Sequence, residues 1–294
     1  MTYLTYPKII LAKVLKKMGI LRALNVSFEI KINQNKVTVP ITKNIGYPNL
    51  FLEPDLFTRI FKGFIGDSKG VFVDVGVNIG QTLLKVKTLN SDMAYIGFEP
   101  NSVCANYAQK LISANGFKNC EIQQFALTDQ PRILELSTNE ASDAAGSIIS
   151  GLRPNYFKQI AKVQGVSFDS LGISEPISFV KIDVEGAELE VLMGMSGAVT
   201  KWHPPILCEV LDSFSDEVLT FTQQRADKLS EWLSDQDYCI IQLQQGKERL
   251  KSFQQLRTIT IKQWTQESYE WNDYLFFHQT QQAKVEHYLK MLQG

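Results

Sequence analysis

The stretch that decides the fold is Gly70-Val71-Phe72-Val73-Asp74-Val75-Gly76-Val77-Asn78-Ile79-Gly80-Gln81-Thr82. A short apolar run, rich in β-branched and aromatic residues, ends at Asp74, and a helical pattern of leucine and valine follows Thr82. This order predicts a buried strand, a tight glycine turn and the start of a helix. Gly76 and Gly80 have no Cβ, so the turn can take unusual backbone angles and a ligand can approach its amides.

The spacing of the two glycines separates two classes of nucleotide cofactor. A dinucleotide site favours G-x-G-x-x-G, whereas this chain has D-x-G-x-x-x-G, with Asp74 in the place of the first glycine. A carboxylate there would repel a pyrophosphate, but it suits S-adenosylmethionine, which carries an ammonium and a sulfonium. On the glycines alone, an ordinary strand-turn-helix corner of an α/β protein stays open as the alternative.

A second acidic residue strengthens the prediction of a nucleoside cofactor. Tyr95-Ile96-Gly97-Phe98-Glu99-Pro100 is another apolar run that ends in a carboxylate. A ribose-binding acid is expected about 20 residues after a glycine loop, at the end of the next strand. Glu99 occupies that position, and Pro100 can open the following helix.

Later strands bring further acids to the same edge of the predicted sheet. Asp183 and Glu185 follow an apolar run that begins at residue 177, and Glu209 ends the next run. Ligands of open parallel sheets bind at the carboxyl ends of the strands. Four successive strands that end in acids therefore indicate a functional site at that edge.

Composition narrows the class of protein. The chain has 294 residues, is 44% hydrophobic and has a net charge of −1, which does not indicate a nucleic-acid partner. Its four cysteines are scattered and it has only three histidines, so a zinc site is not expected. This cysteine usage is typical of a reducing compartment, and we expect a cytoplasmic protein with no apolar run of membrane-spanning length.

Residues 1–50 are predicted to form an N-terminal extension, and residues 51–294 the main domain. Residues 7–24 show helical spacing with interspersed lysines and no acid, and residues 26–45 alternate as a hairpin with a turn at 33–36. A basic amphipathic helix can lie on an anionic membrane, pack on its own domain or contact a second subunit in a homodimer. All three remain open at this point.

Two segments are expected to contact a substrate. The loop at residues 139–160 contains Arg153, Tyr156 and Phe157, and it is either a surface loop or one that orders on a ligand. A glutamine-rich insert separates the last two predicted strands, which lie at 238–243 and 272–277.

The motifs at residues 73–80, 97–100 and 181–188 resemble the FkbM family of S-adenosylmethionine-dependent methyltransferases. The resemblance extends from Leu50 to Leu211, and residues 273–277 match the last strand usual in the family. It implies an α/β, Rossmann-like class I methyltransferase with a seven-stranded, mostly parallel sheet and an antiparallel last strand. Val77 stands where the family usually has alanine, which should leave the loop intact.

The resemblance also implies functions for individual residues. Asp74, Gly76 and Gly80 would hold the methionine part of the cofactor, Glu99 the ribose hydroxyls, and residues 125–127 the adenine. The predicted cofactor-binding set is Asp74, Gly76, Asn78, Gly80, Thr82, Glu99, Pro100, Ala126, Leu127 and Asp183. The implied reaction is methylation of a hydroxyl oxygen on a glycan or a secondary metabolite.

A sugar hydroxyl is a poor nucleophile and benefits from a base that removes its proton. Asp183, Glu185 and Glu209 are the candidates, with His203 less favoured, and we favour Asp183. Lys181 would pair with a neighbouring acid. The same acids could instead hold Mg²⁺. An NAD-dependent oxidoreductase or epimerase and a catalytically silent cofactor-binding module are the alternatives from other classes.

Overall fold

An eight-stranded sheet forms the centre of the computed structural model, which describes residues 6–66, 68–140, 142–143, 145–246 and 248–293. In spatial order the strands are Leu250–Leu256 (β12), Tyr238–Gln245 (β11), Asp273–His278 (β13), Ile206–Glu209 (β10), Ile177–Ile182 (β9), Val71–Val75 (β3), Ala94–Phe98 (β4) and Cys120–Gln123 (β5). β10, β9, β3, β4 and β5 pair in parallel, whereas β13 is antiparallel to both of its neighbours.

The sheet contains the predicted seven strands, including the antiparallel late strand β13, and one more. The additional strand, β12, is part of the glutamine-rich insert and pairs with β11 as an antiparallel edge hairpin. Its side chains are mostly polar and partly exposed. The insert therefore extends the sheet at its edge and leaves the predicted order of the other strands unchanged.

All five residues of β3 are buried, because helices cover both faces of the sheet. Phe72 packs into the hydrophobic cluster on one face, and its neighbour Val73 packs into the cluster on the other. The first face carries Leu56–Ile65 (α2), Gln81–Leu89 (α3), Ser102–Asn115 (α4) and Gln282–Gln293 (α8). The second carries Glu188–Gly194 (α5), Ser196–Trp202 (α6) and Asp216–Asp235 (α7).

Helix ends follow local chemistry. Asp55 caps α2 by accepting a hydrogen bond from the Thr58 backbone N–H at 2.9 Å, and Asn101 caps α4 in the same manner. α4 ends at Gly116, which has a left-handed φ of 60°. The Asn101 cap fixes where α4 begins after the carboxyl end of β4.

The N-terminal segment consists of Tyr6–Lys17 (α1) and an antiparallel hairpin of Asn25–Ile32 (β1) and Asn35–Thr42 (β2). The hairpin and its turn confirm the sequence prediction, but the helix ends earlier than the predicted residue 24. Gly19, with a φ of 73°, interrupts it, and Ile20–Arg22 form a separate 3₁₀ turn. Residues 1–5 of the predicted extension lie outside the described residues.

The hairpin shares the main hydrophobic cluster with α2, α3 and α4. The Thr38 backbone N–H donates to Asn115 at 2.7 Å, and the Asn115 amide donates back to Thr38 O at 2.8 Å. Asn49, in the 3₁₀ turn after the hairpin, is buried and donates to Ile79 O of the glycine loop at 2.7 Å. The N-terminal segment thus supports the loop on which the site is built.

A second, three-stranded sheet of Ala126–Leu127 (β6), Gln159–Val166 (β8) and Arg132–Thr138 (β7) follows β5. The apolar run at residues 133–136 belongs to this sheet. Ala141 and Ala144, in the predicted polar loop after β7, lie outside the described residues. None of the described helices combines the length and the hydropathy that a membrane crossing requires.

Candidate functional site

The glycine loop after β3 has three residues in left-handed backbone conformations: Gly76 (φ 88°), Asn78 (φ 48°) and Gly80 (φ 75°). A Cβ on Gly76 would lie 1.9 Å from the Asp183 carbonyl oxygen, so no other residue fits there without displacing the backbone. Because Asp183 N donates to Val75 O at 2.9 Å, the ends of β3 and β9 are held together at this point.

Glu99 lies at the carboxyl end of β4 and is only 7% exposed. Its Oε2 accepts a hydrogen bond from Asn78 N at 2.7 Å, and its Oε1 accepts one from Asn101 N at 2.8 Å. Burial raises the pKa of Glu99 to about 7, although the two backbone donors oppose the shift. Each oxygen keeps a second lone pair, so the ionised carboxylate can accept hydroxyl donors.

A cavity that opens to solvent, here called the loop cavity, lies beside Glu99. Its lining includes Gly76, Asn78, Glu99, Pro100, Ala126 and Leu127, all of them predicted cofactor-binding residues. Asp183 and Glu185 complete the wall on the side of β9. The structure therefore brings most of the predicted set to one cavity.

Asp74 does not line this cavity. It is fully buried. The Tyr95 hydroxyl donates a hydrogen bond to Asp74 Oδ2, whereas Oδ1 has no hydrogen-bond partner among the described residues. Lys181, its register neighbour on β9, places Nζ 3.9 Å from Oδ1. Burial raises the pKa of Asp74 to about 6, against the lowering effects of Lys181 and Tyr95. Direct contact of Asp74 with a ligand stays a prediction, and the geometry places its carboxylate beneath the loop.

A second cavity, here called the acid cavity, opens to solvent on the other side of the loop. It shares Gly76, Asn78 and Asp183 with the loop cavity. Its further lining includes Thr82, Lys85, Lys181, Glu209, Tyr269 and Asp273. Asp183 thus stands where the two cavities meet.

The carboxyl groups at and around Asp183 have pKa values that are shifted in different directions. Lys181 Nζ lies 2.9 Å from Asp183 Oδ2, and this ion pair, with a hydrogen bond from Glu209, outweighs burial and lowers the pKa of Asp183. Burial and the neighbouring Asp183 and Asp273 carboxylates raise the pKa of Glu209 well above its ordinary value. Asp273 lies opposite Glu209 in the β10–β13 register, and burial raises its pKa to about 8. Of these three carboxyl groups, Asp183 alone has a pKa that its surroundings lower.

Glu185 lies at the turn after β9 with a left-handed φ of 57°. Its Oε2 accepts a 2.5 Å ion-pair hydrogen bond from Arg153 Nη2, and its carbonyl oxygen accepts from Ser147 Oγ at 2.6 Å. Burial raises the pKa of Glu185 to about 7, and Arg153 opposes that shift. These contacts attach the segment that follows β7 to the site.

Oxygens of Asp183, Glu185 and Glu209 lie within 4.8 Å of one another and could serve as ligands to a hard cation such as Mg²⁺. Two of these carboxylates already face cations of the chain, since Asp183 pairs with Lys181 and Glu185 with Arg153. A divalent ion would compete with both pairs.

Some predicted residues lie elsewhere. Gly80 lines neither cavity, and its Cβ position is blocked by Leu111 at 2.9 Å. His203 precedes β10 at the opposite edge of the sheet, where its ring stacks on His278 with a 3.9 Å centroid distance. Arg153 borders a third cavity of about 580 Å³ beside α7, but Tyr156 and Phe157 border none of the three.

Sequence reasoning missed several residues of the acid cavity, among them Lys85, Asp273 and Tyr269. Lys85 lies one helical turn after Thr82, so its position on the loop-facing side of α3 could have been found from spacing. Asp273 begins an antiparallel strand, which brings it to the same edge as the ends of the parallel strands. Tyr269 lies in the glutamine-rich insert, a segment that was expected to contact the substrate, but no pattern in the sequence singles out this residue.

The model of the methyltransferase FkbM domain matches residues 74–240, which is more than half of the chain. A comparison with curated proteins gave no significant match.

Among solved structures, the methyltransferase FkbM from Methylobacillus flagellatus KT is 15% identical with a TM-score of 0.43. The match covers 71% of this chain and 43% of that one, so the chain spans less than half of that protein's length. An O-methyltransferase from Bacillus cereus, solved in complex with SAH, is 13% identical over 75% of this chain and 77% of that one, with a TM-score of 0.41. An rRNA methylase from Streptococcus thermophilus is 9% identical over 75% and 92%, with a TM-score of 0.37. These values are too low to support an argument about function.

Proposed function

Since this chain belongs to the FkbM methyltransferase family and takes S-adenosylmethionine as its methyl donor, we propose that it methylates a hydroxyl oxygen of a glycan or a secondary metabolite. The observation that carries the proposal is the position of Asp183, an ionised carboxylate where the loop cavity meets the acid cavity. A hydroxyl in the acid cavity could donate its proton to this group.

The residues of the loop cavity fit the methyl donor. Glu99 has free lone pairs for ribose hydroxyls, and Ala126 and Leu127 offer an apolar surface for adenine. The glycine at position 76 lets the loop backbone lie against the Asp183 carbonyl oxygen in the wall of the cavity. When bound, S-adenosylmethionine supplies an electrophilic methyl group on its sulfonium.

The chain's own residues then prepare the acceptor. Asp183 accepts a hydrogen bond from the acceptor hydroxyl, which orients the hydroxyl oxygen. It then takes the hydroxyl proton as the bond between that oxygen and the methyl group forms. The ion pair with Lys181 and a hydrogen bond from Glu209 both lower the pKa of Asp183 and hold its carboxylate in place. Glu185, with a pKa raised to about 7, is the second candidate for the base.

The lining of the acid cavity supports a neutral, hydroxyl-rich acceptor. Side chains that exchange hydrogen bonds with hydroxyls, Gln81, Thr82 and Gln245, stand beside two aromatic rings, Phe57 and Tyr269. Both lysines of the described lining already pair with a carboxylate, Lys85 with Asp55 and Lys181 with Asp183, which disfavours phosphorylated or otherwise anionic acceptors.

The test is transfer of a labelled methyl group from S-adenosylmethionine to a panel of neutral glycans and hydroxylated metabolites. With the best acceptor, Asp183→Asn is expected to lower kcat about 10²–10⁴-fold, the usual contribution of a positioned base. Asp235→Asn, the same change at an exposed end of α7, should leave kcat unchanged. Full activity of Asp183→Asn would refute the assignment of the base.

Two alternatives have their own outcomes. If Asp183, Glu185 and Glu209 hold Mg²⁺, EDTA abolishes transfer and added Mg²⁺ restores it, whereas the proposed reaction survives EDTA. If the chain is a silent cofactor-binding module, calorimetry shows binding of S-adenosylmethionine, but no acceptor is methylated. Binding of NAD in place of S-adenosylmethionine would contradict the cofactor assignment.

A further inference from the structure

The helix α1 has an apolar face that nothing in the described chain covers. Ile10, Leu11, Val14 and Met18 are between 46% and 64% exposed. At 3.6 residues per turn these four side chains lie on one side of the helix and of the turn that follows it. The opposite side, with Ile9 and Ala12, is buried against the rest of the fold. We call the four exposed residues the outer strip.

The charge of the segment around the outer strip has one sign. Lys8, Lys13, Lys16, Lys17 and Arg22 occur before the first acidic residue of the chain, Glu29. Lys13 and Lys16 lie over the rings of Phe51 and Tyr47, at 5.2 and 3.9 Å from the ring centroids. These lysines thus help to hold α1 on the fold.

The combination of an apolar strip with basic flanks decides what can cover it. A symmetric contact with a second copy would bring each strip and its lysines against the same lysines of the other copy, which like charges oppose. An anionic lipid surface complements both features, because the apolar side chains enter the acyl boundary while the exposed basic residues Lys17 and Arg22 are available to the headgroups.

We propose that the outer strip of α1 attaches this protein peripherally to an anionic lipid surface. The helix lies in the plane of the interface and does not cross it. The Tyr47–Phe51 turn, which Lys13 and Lys16 contact, also carries the Asn49 side chain that supports the glycine loop. Attachment therefore holds the methyl-transfer site close to the lipid surface.

The experiment is flotation of the full chain with vesicles of phosphatidylcholine alone or of an equimolar mixture with phosphatidylglycerol. We expect partition onto the mixed vesicles to be at least about tenfold stronger and to weaken with added salt. Leu11→Glu combined with Met18→Glu should abolish it, and Lys17→Gln should lower it about fivefold.

Met291→Glu on α8 is the matched control, because Met291 is 53% exposed, as is Leu11, and lies outside the strip. It should float as the unmodified chain does. Equal partition on both vesicle types, no flotation, or equal loss in the control would overturn the proposal. A dimer that the Leu11→Glu and Met18→Glu changes convert to monomer would assign the strip to self-association and overturn it as well. The proposal does not depend on the identity of the acceptor, because a soluble acceptor should be methylated at the same rate by the doubly substituted chain.

Discussion

Glu99→Gln tests the link between the buried carboxylate and the methyl donor. In the unmodified chain each oxygen of Glu99 holds one backbone N–H and has room for one hydroxyl donor. A hydrogen bond to a charged group contributes about 1.5–3 kcal/mol, and glutamine keeps one neutral acceptor while turning an amide N–H₂ toward a backbone donor. We expect Glu99→Gln to lose about 3 kcal/mol of binding free energy for S-adenosylmethionine at pH 8, which raises Kd on the order of 100-fold.

The effect must depend on pH, because burial raises the pKa of Glu99 to about 7. At pH 6 only about a tenth of the carboxyl groups are ionised, so the affinity of the unmodified chain falls about tenfold and the gap to Glu99→Gln narrows equally. The free energy of unfolding depends on pH in the opposite direction to the cofactor affinity. A raised pKa favours the folded state at low pH, and that contribution is lost as pH rises from about 4.5 to about 7.

The assay is calorimetric titration with S-adenosylmethionine and with S-adenosylhomocysteine at pH 6, 7 and 8. Both ligands contain the ribose, so Glu99→Gln should weaken them to the same extent. Glu121→Gln, the same substitution at an exposed position of β5, is the control. A Kd for Glu99→Gln within about threefold of the unmodified chain at pH 8, or an equal loss at pH 6 and pH 8, would refute the reasoning.

Three further predictions concern the scaffold of the site. Gly76→Ala should lower the free energy of unfolding by several kcal/mol more than Gly151→Ala does. Both glycines have a φ near 88°, but of the two only Gly76 has a backbone oxygen at the position of the added Cβ. Thermal unfolding of the two variants measures the difference. Tyr95→Phe removes the hydrogen bond that lowers the pKa of Asp74, so unfolding free energy should decline further between pH 5 and pH 8, in denaturant titrations, than it does in the unmodified chain. Arg153→Gln leaves the partly buried Glu185 carboxylate without its ion pair, and amide exchange across residues 145–157 should increase; unchanged exchange would show that the pair does not hold that segment.

The loop and its strands could be predicted because their signals are local. Buried strands, a glycine turn and the following helix each occupy a few successive residues, and Glu99 follows at a spacing that the fold dictates. The end of β9 could be placed for the same reason. The predicted helix at 7–24 was wrong at its end because lysine and leucine spacing continues past Gly19, where the backbone turns left-handed.

The rest of the site depends on pairing between distant strands. Asp74 lies in a strand covered on both faces, so alternation could not show that its carboxylate faces Tyr95 and Lys181 beneath the loop. Burial, Asp183 and then Asp273 raise the pKa of Glu209, and Asp273 is 64 residues away in the chain but opposite Glu209 in the sheet. Such register partners have no signature within a single stretch of sequence.

The N-terminal hairpin has a practical consequence for any attempt to move this catalytic unit into another protein. Its apolar side chains fill the same interior as α3 and α4, and Asn49 clamps the loop at Ile79. A fragment that starts at the predicted boundary near residue 51 would leave that interior open to water and the clamp missing. We expect such a fragment to aggregate on expression, so a transplantable unit has to begin upstream of β1.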